Sequence, residues 1–120
     1  MSFKTKYSFE QRLFETTNII KKYPDRVPLI CEKNINCKDL NLKKHKFLVP
    51  YDYTVGQFIF VVKNFTDCHP SESIYLFIKG TIPPTYINLG SIYESYKDDD
   101  GYLYITISKE NTFGSNPKLI

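Results

Sequence analysis

The chain has 120 residues, of which 42% are hydrophobic and 16% aromatic, and its formal charge is +3. This length suits one domain, and the apolar content is enough for one compact core, which excludes a wholly disordered chain. A charge of +3 is too small to indicate nucleic-acid binding by itself. No apolar run is long enough to cross a bilayer, and the polar, periodic start of the chain is unlike a secretory signal. We therefore expect synthesis and folding in the cytosol.

The first predicted element is helical. Residues 9–22 have Phe9, Leu13 and Ile20 at three-to-four spacing, with charged residues opposite them, which is the pattern of an amphipathic helix. We expect these three side chains to form its apolar face. Residues 2–7 are expected to add a short helical turn before it.

Two short strands are predicted next. Residues 27–32, "VPLICE", predict a strand, and Pro28 within them favours an edge or a strand start, because proline donates no hydrogen bond to a ladder. A polar, turn-rich loop follows. Residues 46–50 then predict a second strand that ends at a proline.

A central helix is predicted to begin after Thr54. Thr54 is followed three residues later by Gln57, which is the spacing of a capping box. We expect the helix to run to about Asn64 or Phe65. Its predicted buried stripe consists of Val55, Phe58, Val62 and Phe65.

The last third of the chain alternates strand and helix. Residues 74–79 are rich in β-formers and predict a strand, after which a segment with glycine and two prolines turns the chain. Residues 89–97 predict a short helix that Gly90 weakens, and residues 102–108 predict a final alternating strand. The order β-β-α-β-α-β predicts an α+β, ubiquitin-like β-grasp fold, with a four-stranded mixed sheet on a central helix. The two additional N-terminal helices would cover the other side of the sheet.

Three strings then carry a resemblance to a known family. They are "YPDRVPLICEK" at 23–33, "KFLVPYDYTVGQF" at 46–58 and "YKDDDGYLYITISKENTFG" at 96–114. In this order they resemble the autophagy-related protein 8 family, the lipid-conjugated ubiquitin-like modifiers that include the GABA-receptor-associated protein and the microtubule-associated light chain three. The resemblance spans about residues 6–114.

The resemblance implies a C-terminal glycine that a processing cysteine protease exposes. Activating and conjugating enzymes then pass this glycine to phosphatidylethanolamine. Carried onto this chain, the lipid-conjugated residue is Gly114, the protease cuts between Gly114 and Ser115, and residues 115–120 are a removable tail. The implied organisation is an N-terminal helical extension at 1–24 and a ubiquitin-like domain at 25–114. A glycine suits this chemistry because, without a Cβ, its backbone can be approached closely.

The second implied site is the strand in "KKHKFLVP" at 43–50. By resemblance it binds an extended peptide with an aromatic residue, two residues of any kind and an aliphatic residue, often preceded by acidic residues. Strand addition of this kind uses the free edge of a sheet. Pocket one, for the aromatic ring, would consist of Glu15, Ile19, Pro28, Ile30, Lys46, Leu48 and Tyr102. Pocket two, for the aliphatic residue, would consist of Phe47, Val49, Pro50, Tyr53, Phe58 and Val61. The acidic flank would meet Arg26, Lys43, Lys44 and His45.

Three residues depart from the family pattern. Tyr53 stands where the family usually has leucine, Lys43 where it usually has an acidic residue, and His45 where it usually has arginine. We expect an altered second pocket and an altered preference for acidic flanks.

The sequence does not favour other kinds of site. The cysteines and histidines form no CxxC or HxxxH pair, so no metal site and no cofactor are predicted. Cys68 and His69 are adjacent, a spacing that points side chains apart, and we predict no enzymatic activity. The acidic segment before Gly101 lacks calcium-loop spacing and is expected to be a solvated turn, in which Gly101 supplies an unusual dihedral. The basic loop has no stacking platform, so no nucleic acid is expected.

Plainer interpretations stay open at this point. Phe47, Leu48 and Val49 could form an ordinary core strand, and Gly114 could be part of a flexible terminus. An unconjugated, peptide-binding scaffold in vesicle or organelle traffic is the alternative function. On the main interpretation the protein is cytoplasmic when unconjugated and on autophagosome and related vesicle membranes when lipidated, where it recruits cargo receptors and autophagy factors.

Overall fold

A computed structural model describes residues 2–109 and, by backbone alone, residues 118–119. Most predicted elements are present within one or two residues of the expected bounds. The elements are α1 (Phe3–Lys6), α2 (Phe9–Lys22), β1 (Arg26–Lys33), β2 (Lys46–Pro50), α3 (Val55–Lys63), β3 (Ile74–Phe77), β4 (Thr81–Ile82), α4 (Leu89–Tyr96), β5 (Leu103–Lys109) and β6 (Lys118–Leu119).

A four-stranded mixed sheet organises the fold, in the order β2-β1-β5-β3. The central pair, β1 and β5, is parallel, and the two flanking pairs are antiparallel. The predicted ubiquitin-like architecture is confirmed, including the helices on both sides of the sheet. The prediction missed the short strands β4 and β6, which form a second, two-stranded sheet.

The helix α3 covers one face of the sheet, where the main core lies. Its predicted capping box is present, since the Thr54 hydroxyl accepts from the Gln57 N–H at 3.1 Å and the Gln57 side chain accepts from the Thr54 N–H. Phe58 is fully buried and meets the ring of Phe47 edge-on, with 5.2 Å between centroids. The buried apolar residues of α3 are Val55, Phe58 and Val62, whereas Phe65 follows the helix and is half-buried.

The helices α1 and α2 cover the opposite face, but α2 does not do so with its predicted side. Phe9, Leu13 and Ile20 remain 41%, 40% and 37% exposed. The residues that α2 buries are Arg12 and Thr16. The expectation of an apolar inner face was therefore wrong, because α2 is held to the sheet by polar contacts that hydrophobic periodicity does not report.

Pro28 lies in an interior strand and not at an edge. Cys31 donates its N–H to the His45 carbonyl at 2.7 Å, so by alternation the odd-numbered residues of β1 bond to β2. The nitrogen of Pro28 thus faces β5, and pairing with β5 begins only at Leu29. The missing donor costs no ladder bond there. Pro28 thus precedes the start of the β1–β5 pairing, which agrees with the strand-start interpretation. The edge interpretation was wrong, because β1 lies between β2 and β5.

Two glycines are required by close packing. Gly101 has φ +91°, as predicted, and a Cβ at this position would lie 2.3 Å from the Thr16 hydroxyl of α2. A Cβ on Gly90 would lie 1.9 Å from the ring of Tyr51. Gly90 is unfavourable for helix formation, but its lack of a side chain leaves room for the Tyr51 ring to pack against α4.

Candidate functional site: the edge strand and the C-terminal segment

The strand β2 lies at an edge of the four-stranded sheet. Its odd-numbered residues bond to β1, as shown by the bond from Cys31 to His45 and by the bond from Tyr51 N–H to the Asp25 carbonyl at 2.9 Å. Because strand backbones alternate, the N–H and C=O groups of Lys46 and Leu48 point outward from the sheet. Pro50 ends the outward row without a donor. The open edge therefore presents the hydrogen-bonding groups of two residues, which suits a short added strand.

The residues predicted for pocket one share the face of the sheet that α2 covers. Pro28 lies opposite Leu48, and Ile30 lies opposite Lys46. Glu15 of α2 accepts a hydrogen bond from the Tyr102 hydroxyl. It also forms an ion pair of 2.7 Å with the Lys46 ammonium. Pro28, Ile30 and Tyr102 are buried, Ile19 and Leu48 are half-buried, and Lys46 is exposed. The structure thus brings together a floor of buried residues and a charged rim formed by Glu15 and Lys46.

A buried polar cluster fixes the position of α2 over this face. Asp100 is fully buried and lies 2.5 Å from the Arg12 guanidinium. The Tyr104 hydroxyl and the Tyr102 N–H also donate to its carboxylate, at 2.5 and 2.8 Å. The Thr16 hydroxyl donates to its carbonyl at 2.5 Å. Burial, and then the bond to Asp100, raises the pKa of Tyr104.

This cluster corrects the expectation of a solvated turn before Gly101. Asp99 is exposed and Asp98 is half-buried, in an ion pair of 2.6 Å with Lys4, but Asp100 is enclosed. Sequence reasoning missed Arg12, Thr16 and Asp100 as positioning residues. The available signal was the four-residue spacing of Arg12 and Thr16, which puts both on one helix face.

Most residues predicted for pocket two pack with the main core under α3, whereas Pro50, opposite Arg26 in the β1–β2 ladder, is by alternation on the same face of β2 as Lys46 and Leu48. Phe47, Val49 and Phe58 are buried in the main core. Pro50, Tyr53 and Val61 are half-buried and make up the accessible part of this set. The plain interpretation of residues 47–49 as a core strand is therefore correct for the side chains of Phe47 and Val49 but not for Leu48, which is half-buried on the other face, and the backbone edge remains open.

A groove of about 1000 Å³ opens beside Lys46, between α1 and the loop before β2. Phe3 and Tyr7 contribute to its lining from the N-terminus, and Lys44 and His45 contribute from the loop. The His45 Nδ1 lies 3.1 Å from the Cys31 carbonyl, which can only accept, so this nitrogen carries a proton. The Lys44 ammonium lies 5.0 Å from the ring centroid of Phe47.

The four residues predicted for an acidic flank do not form one group. Lys44 and His45 line the groove, whereas Lys43 and Arg26 do not. Lys43 donates its N–H to the Phe65 carbonyl at 2.7 Å. Arg26 lies opposite Pro50, at the other end of the β1–β2 ladder. The basic residues that line the groove thus lie directly before the start of β2.

The two residues of the predicted scissile bond, Gly114 and Ser115, lie outside the described residues. The strand that leads toward them ends at Lys109, whose ammonium lies 3.2 Å from Glu72 and 3.4 Å from Asp39. The His69 N–H and the Lys109 ammonium lower the pKa of Glu72.

The adjacent Cys68 and His69 do not form a nucleophile–base pair. The Cys68 thiol contacts the backbone carbonyl of His69, and the His69 Nδ1 bonds to the Ser71 hydroxyl at 2.7 Å. Burial, and then the charge of Glu72, raises the pKa of the Cys68 thiol. An activated cysteine needs the opposite shift.

Two wider observations concern only residues 2–109 and 118–119. Within this part of the chain, no three His, Cys, Asp or Glu side chains gather as a group that could hold a metal ion. None of the helices described has the length and apolar character needed to cross a membrane.

Residues 11–114 match the model of the family described as "Autophagy protein Atg8 ubiquitin like". The autophagy-related protein 8 of Coccidioides immitis is 47% identical over 113 residues, which cover 94% of this chain and 97% of that protein. The corresponding protein of Schizosaccharomyces pombe is 47% identical, over 94% of this chain and 93% of that protein.

Two solved structures are similar throughout. The crystal structure of Trypanosoma brucei ATG8 has a TM-score of 0.88 and 37% identity, covering 95% of this chain and 98% of that one. Plasmodium falciparum Atg8, solved in complex with a Plasmodium falciparum Atg3 peptide, has a TM-score of 0.80 and 36% identity, covering 91% of this chain and 98% of that one.

Proposed function

The chain belongs to the Atg8 family of ubiquitin-like autophagy proteins, and on that basis we propose that it is a modifier conjugated to phosphatidylethanolamine through Gly114. In this proposal a cysteine protease removes residues 115–120, and activating and conjugating enzymes transfer the exposed glycine to the lipid. The observation that carries the proposal is the end of the family match, which extends to residue 114 and no further. The six residues beyond it are the expected removable tail.

Lipid attachment would anchor the protein without a membrane-spanning segment. One acyl chain provides only marginal membrane binding, at about 0.8 kcal/mol per buried methylene, whereas stable anchoring needs two chains or a second signal. Phosphatidylethanolamine supplies two chains. Removal of the tail takes the formal charge from +3 to +2, because Lys118 is the only charged residue in it. Electrostatic attraction is therefore a poor substitute for the lipid.

The edge of β2 is the proposed docking site for partner peptides. The basic residues Lys44 and His45 directly precede this strand, the pocket-one residues Lys46 and Leu48 lie on it, and Pro50 of pocket two ends it. A peptide with acidic, aromatic and aliphatic residues in that order would match this sequence of sites if it ran parallel to β2. Its backbone would bond to the outward groups of Lys46 and Leu48.

Proposed partners follow from the same surface. They are receptors with aromatic-x-x-aliphatic motifs and the enzymes of the conjugation pathway. The Plasmodium falciparum relative was solved with an Atg3 peptide, which supports peptide binding by this fold. We expect the conjugated protein on autophagosome-type membranes and the unconjugated protein in the cytoplasm.

The conjugation proposal is tested by the mass of the protein recovered from its own cells. We expect a species that ends at Gly114 and a second species that carries the lipid. A Gly114→Ala variant should lose membrane association, whereas an unconjugated scaffold would keep it. If the sole species recovered retains residues 115–120 without a lipid adduct, conjugation is refuted.

The docking proposal is tested by calorimetry with an acidic peptide that contains the aromatic-x-x-aliphatic motif. Leu48→Ala should weaken binding by about 1–3 kcal/mol, the scale of losing one buried apolar side chain at an interface. Phe60→Ala is the matched control, because Phe60 is 71% exposed on the outer side of α3, and its loss should leave affinity unchanged. Equal affinities for the wild type and Leu48→Ala would place the site elsewhere.

A further inference from the structure

The last two described residues form a strand against the body of the protein. β6 pairs in parallel with β4, with Lys118 opposite Thr81 and Leu119 opposite Ile82. This contact lies outside the four-stranded sheet and far along the chain from the edge strand β2. It involves the segment that the proposed function removes.

The turn before β4 determines which way its backbone groups point. Lys79 and Gly80 have φ of +49° and +81°, as a two-residue type I′ hairpin turn requires. Ile78 and Thr81 exchange both backbone hydrogen bonds across this turn, at 2.8 and 3.0 Å. The N–H and C=O of Thr81 are therefore directed back toward Ile78.

The next residue faces the other way. Because backbone groups alternate along a strand, the N–H and C=O of Ile82 point away from Ile78, toward β6. Pro83 and Pro84 follow immediately and have no N–H to extend a ladder. Ile82 is thus the last donor before a break, and β6 is the strand placed to use it.

We propose that residues 118–119 are an intramolecular ligand of the β4 edge, which holds the C-terminal tail against the domain and slows its removal. The first part stands on the pairing alone. The second part rests on the proposed function, since it requires a protease that cuts between Gly114 and Ser115.

The reach of the chain links the two parts. Only Ser115, Asn116 and Pro117 separate Gly114 from Lys118. Four residue steps span at most about 14 Å, at roughly 3.3–3.6 Å per residue. While Lys118 is paired with Thr81, the length of the chain therefore keeps the scissile bond within about 14 Å of Lys118. A protease that encloses an extended segment on both sides of the bond needs the tail released, so docking and cleavage compete.

Amide hydrogen exchange tests the docking without any protease. The full chain is compared with a chain that ends at Pro117, which lacks only the paired residues and Ile120. We expect the Ile82 amide to exchange about fivefold faster in the shorter chain, the scale of losing one net hydrogen bond. The Thr81 amide is the internal control, because its bond to Ile78 does not depend on the tail. Equal Ile82 exchange in the two chains overturns the proposal.

Cleavage kinetics test the slowing. A purified cysteine protease of the class that processes this family is applied to the full chain and to the Lys118→Pro/Leu119→Pro variant, which cannot maintain the strand. We expect the variant to be cut about fivefold faster, because it too loses about one net hydrogen bond between the tail and the domain. Free peptides of residues 109–120, with and without the two prolines, measure how the prolines alone change the cleavage rate. The ratio of cleavage rates for the two full chains is then divided by the ratio for the two peptides.

The outcomes separate the two proposals. If neither chain is cut while the Ile82 amide still responds to the tail, the processing function fails and the docking stands. If both chains are cut at the same relative rate while the Ile82 amide responds, the tail docks without slowing its removal, and that part of the inference fails.

Discussion

The ion pair between Arg12 and Asp100 gives the sharpest test of how α2 is attached. The Arg12→Met change removes the guanidinium and keeps a long apolar side chain, so Asp100 is left as a fully buried carboxylate. Two neutral donors remain to it, the Tyr104 hydroxyl and the Tyr102 N–H. Leaving a buried charge without its partner costs about 3–5 kcal/mol. Since a domain of this kind is stable by about 5–15 kcal/mol, this is a large fraction of the whole.

A second ion pair provides the control at the same end of the sheet. Lys4 lies 2.6 Å from Asp98, but their side chains are 47% and 26% exposed. A solvent-accessible pair of this kind contributes about 0–1 kcal/mol, because water screens its charges. Lys4→Met should therefore change the free energy of unfolding by less than about 1 kcal/mol. The charged atoms of Lys4 and Asp98 are nevertheless almost as close as those of the buried pair, at 2.6 against 2.5 Å.

Denaturation in urea, followed by circular dichroism, measures both variants, and equal slopes confirm that midpoints can be compared. A double variant, Arg12→Met with Asp100→Asn, should be more stable than Arg12→Met alone. The asparagine keeps an acceptor for the Tyr102 N–H and removes the uncompensated charge. If Arg12→Met loses no more stability than Lys4→Met, the buried cluster is not what attaches α2.

Three further predictions concern stability. Gly101→Ala should lower the melting temperature by several degrees, through a strained φ of +91° and a contact of 2.3 Å with Thr16; an unchanged melting temperature would show that α2 can shift freely. Gly90→Ala should also destabilise, because the contact of 1.9 Å with the Tyr51 ring outweighs the gain of about 1 kcal/mol in helix propensity; a more stable variant in thermal melts would refute this. The lowered pKa of Glu72 means that its contribution is present above about pH 4.5, its ordinary value, and is lost as pH falls below it. Glu72→Gln should therefore flatten the acid side of the stability profile, and an identical profile would contradict the pairing with the lysine at the end of β5.

The fold was predictable because its elements follow local rules. The capping box at Thr54, the alternating apolar strand β5 and the glycine turn at Gly101 each predict one local geometry, and the structure has all three. The chain order then selects one sheet topology. The fold can be predicted from such a sequence because the local preferences of its segments agree with their arrangement in the folded protein.

The errors arise where tertiary contacts decide. Arg12 and Asp100 are 88 positions apart, and no periodicity within either segment indicates that they meet. For this reason α2 buries Arg12 and Thr16, and the three residues expected to form its apolar face remain exposed. The strand predicted at residues 74–79 ended early because Lys79 and Gly80 form a type I′ turn, for which lysine is an unusual first residue.

The candidate site was predictable in part. The edge position of β2 and the contact of Glu15 with Lys46 and Tyr102 could be expected only through resemblance, since sequence spacing does not place a helix over a particular strand. Whether a peptide uses these residues, and whether Gly114 is conjugated, stay predictions that the experiments above address. The separation of Arg26 from Lys44 and His45 could not be foreseen, because it depends on which ends of β1 and β2 lie together.

The proline at the end of β2 also affects how the protein behaves toward copies of itself. An exposed strand edge is a template for aggregation unless something limits it. If two β2 edges paired antiparallel about Leu48, the outward groups of Lys46 in each copy would meet Pro50 of the other, which has no N–H to donate. If they paired in parallel, the lysines at the start of each strand would lie side by side. The edge that we propose as a peptide-binding site is therefore poorly suited to pair with a second copy of the same edge.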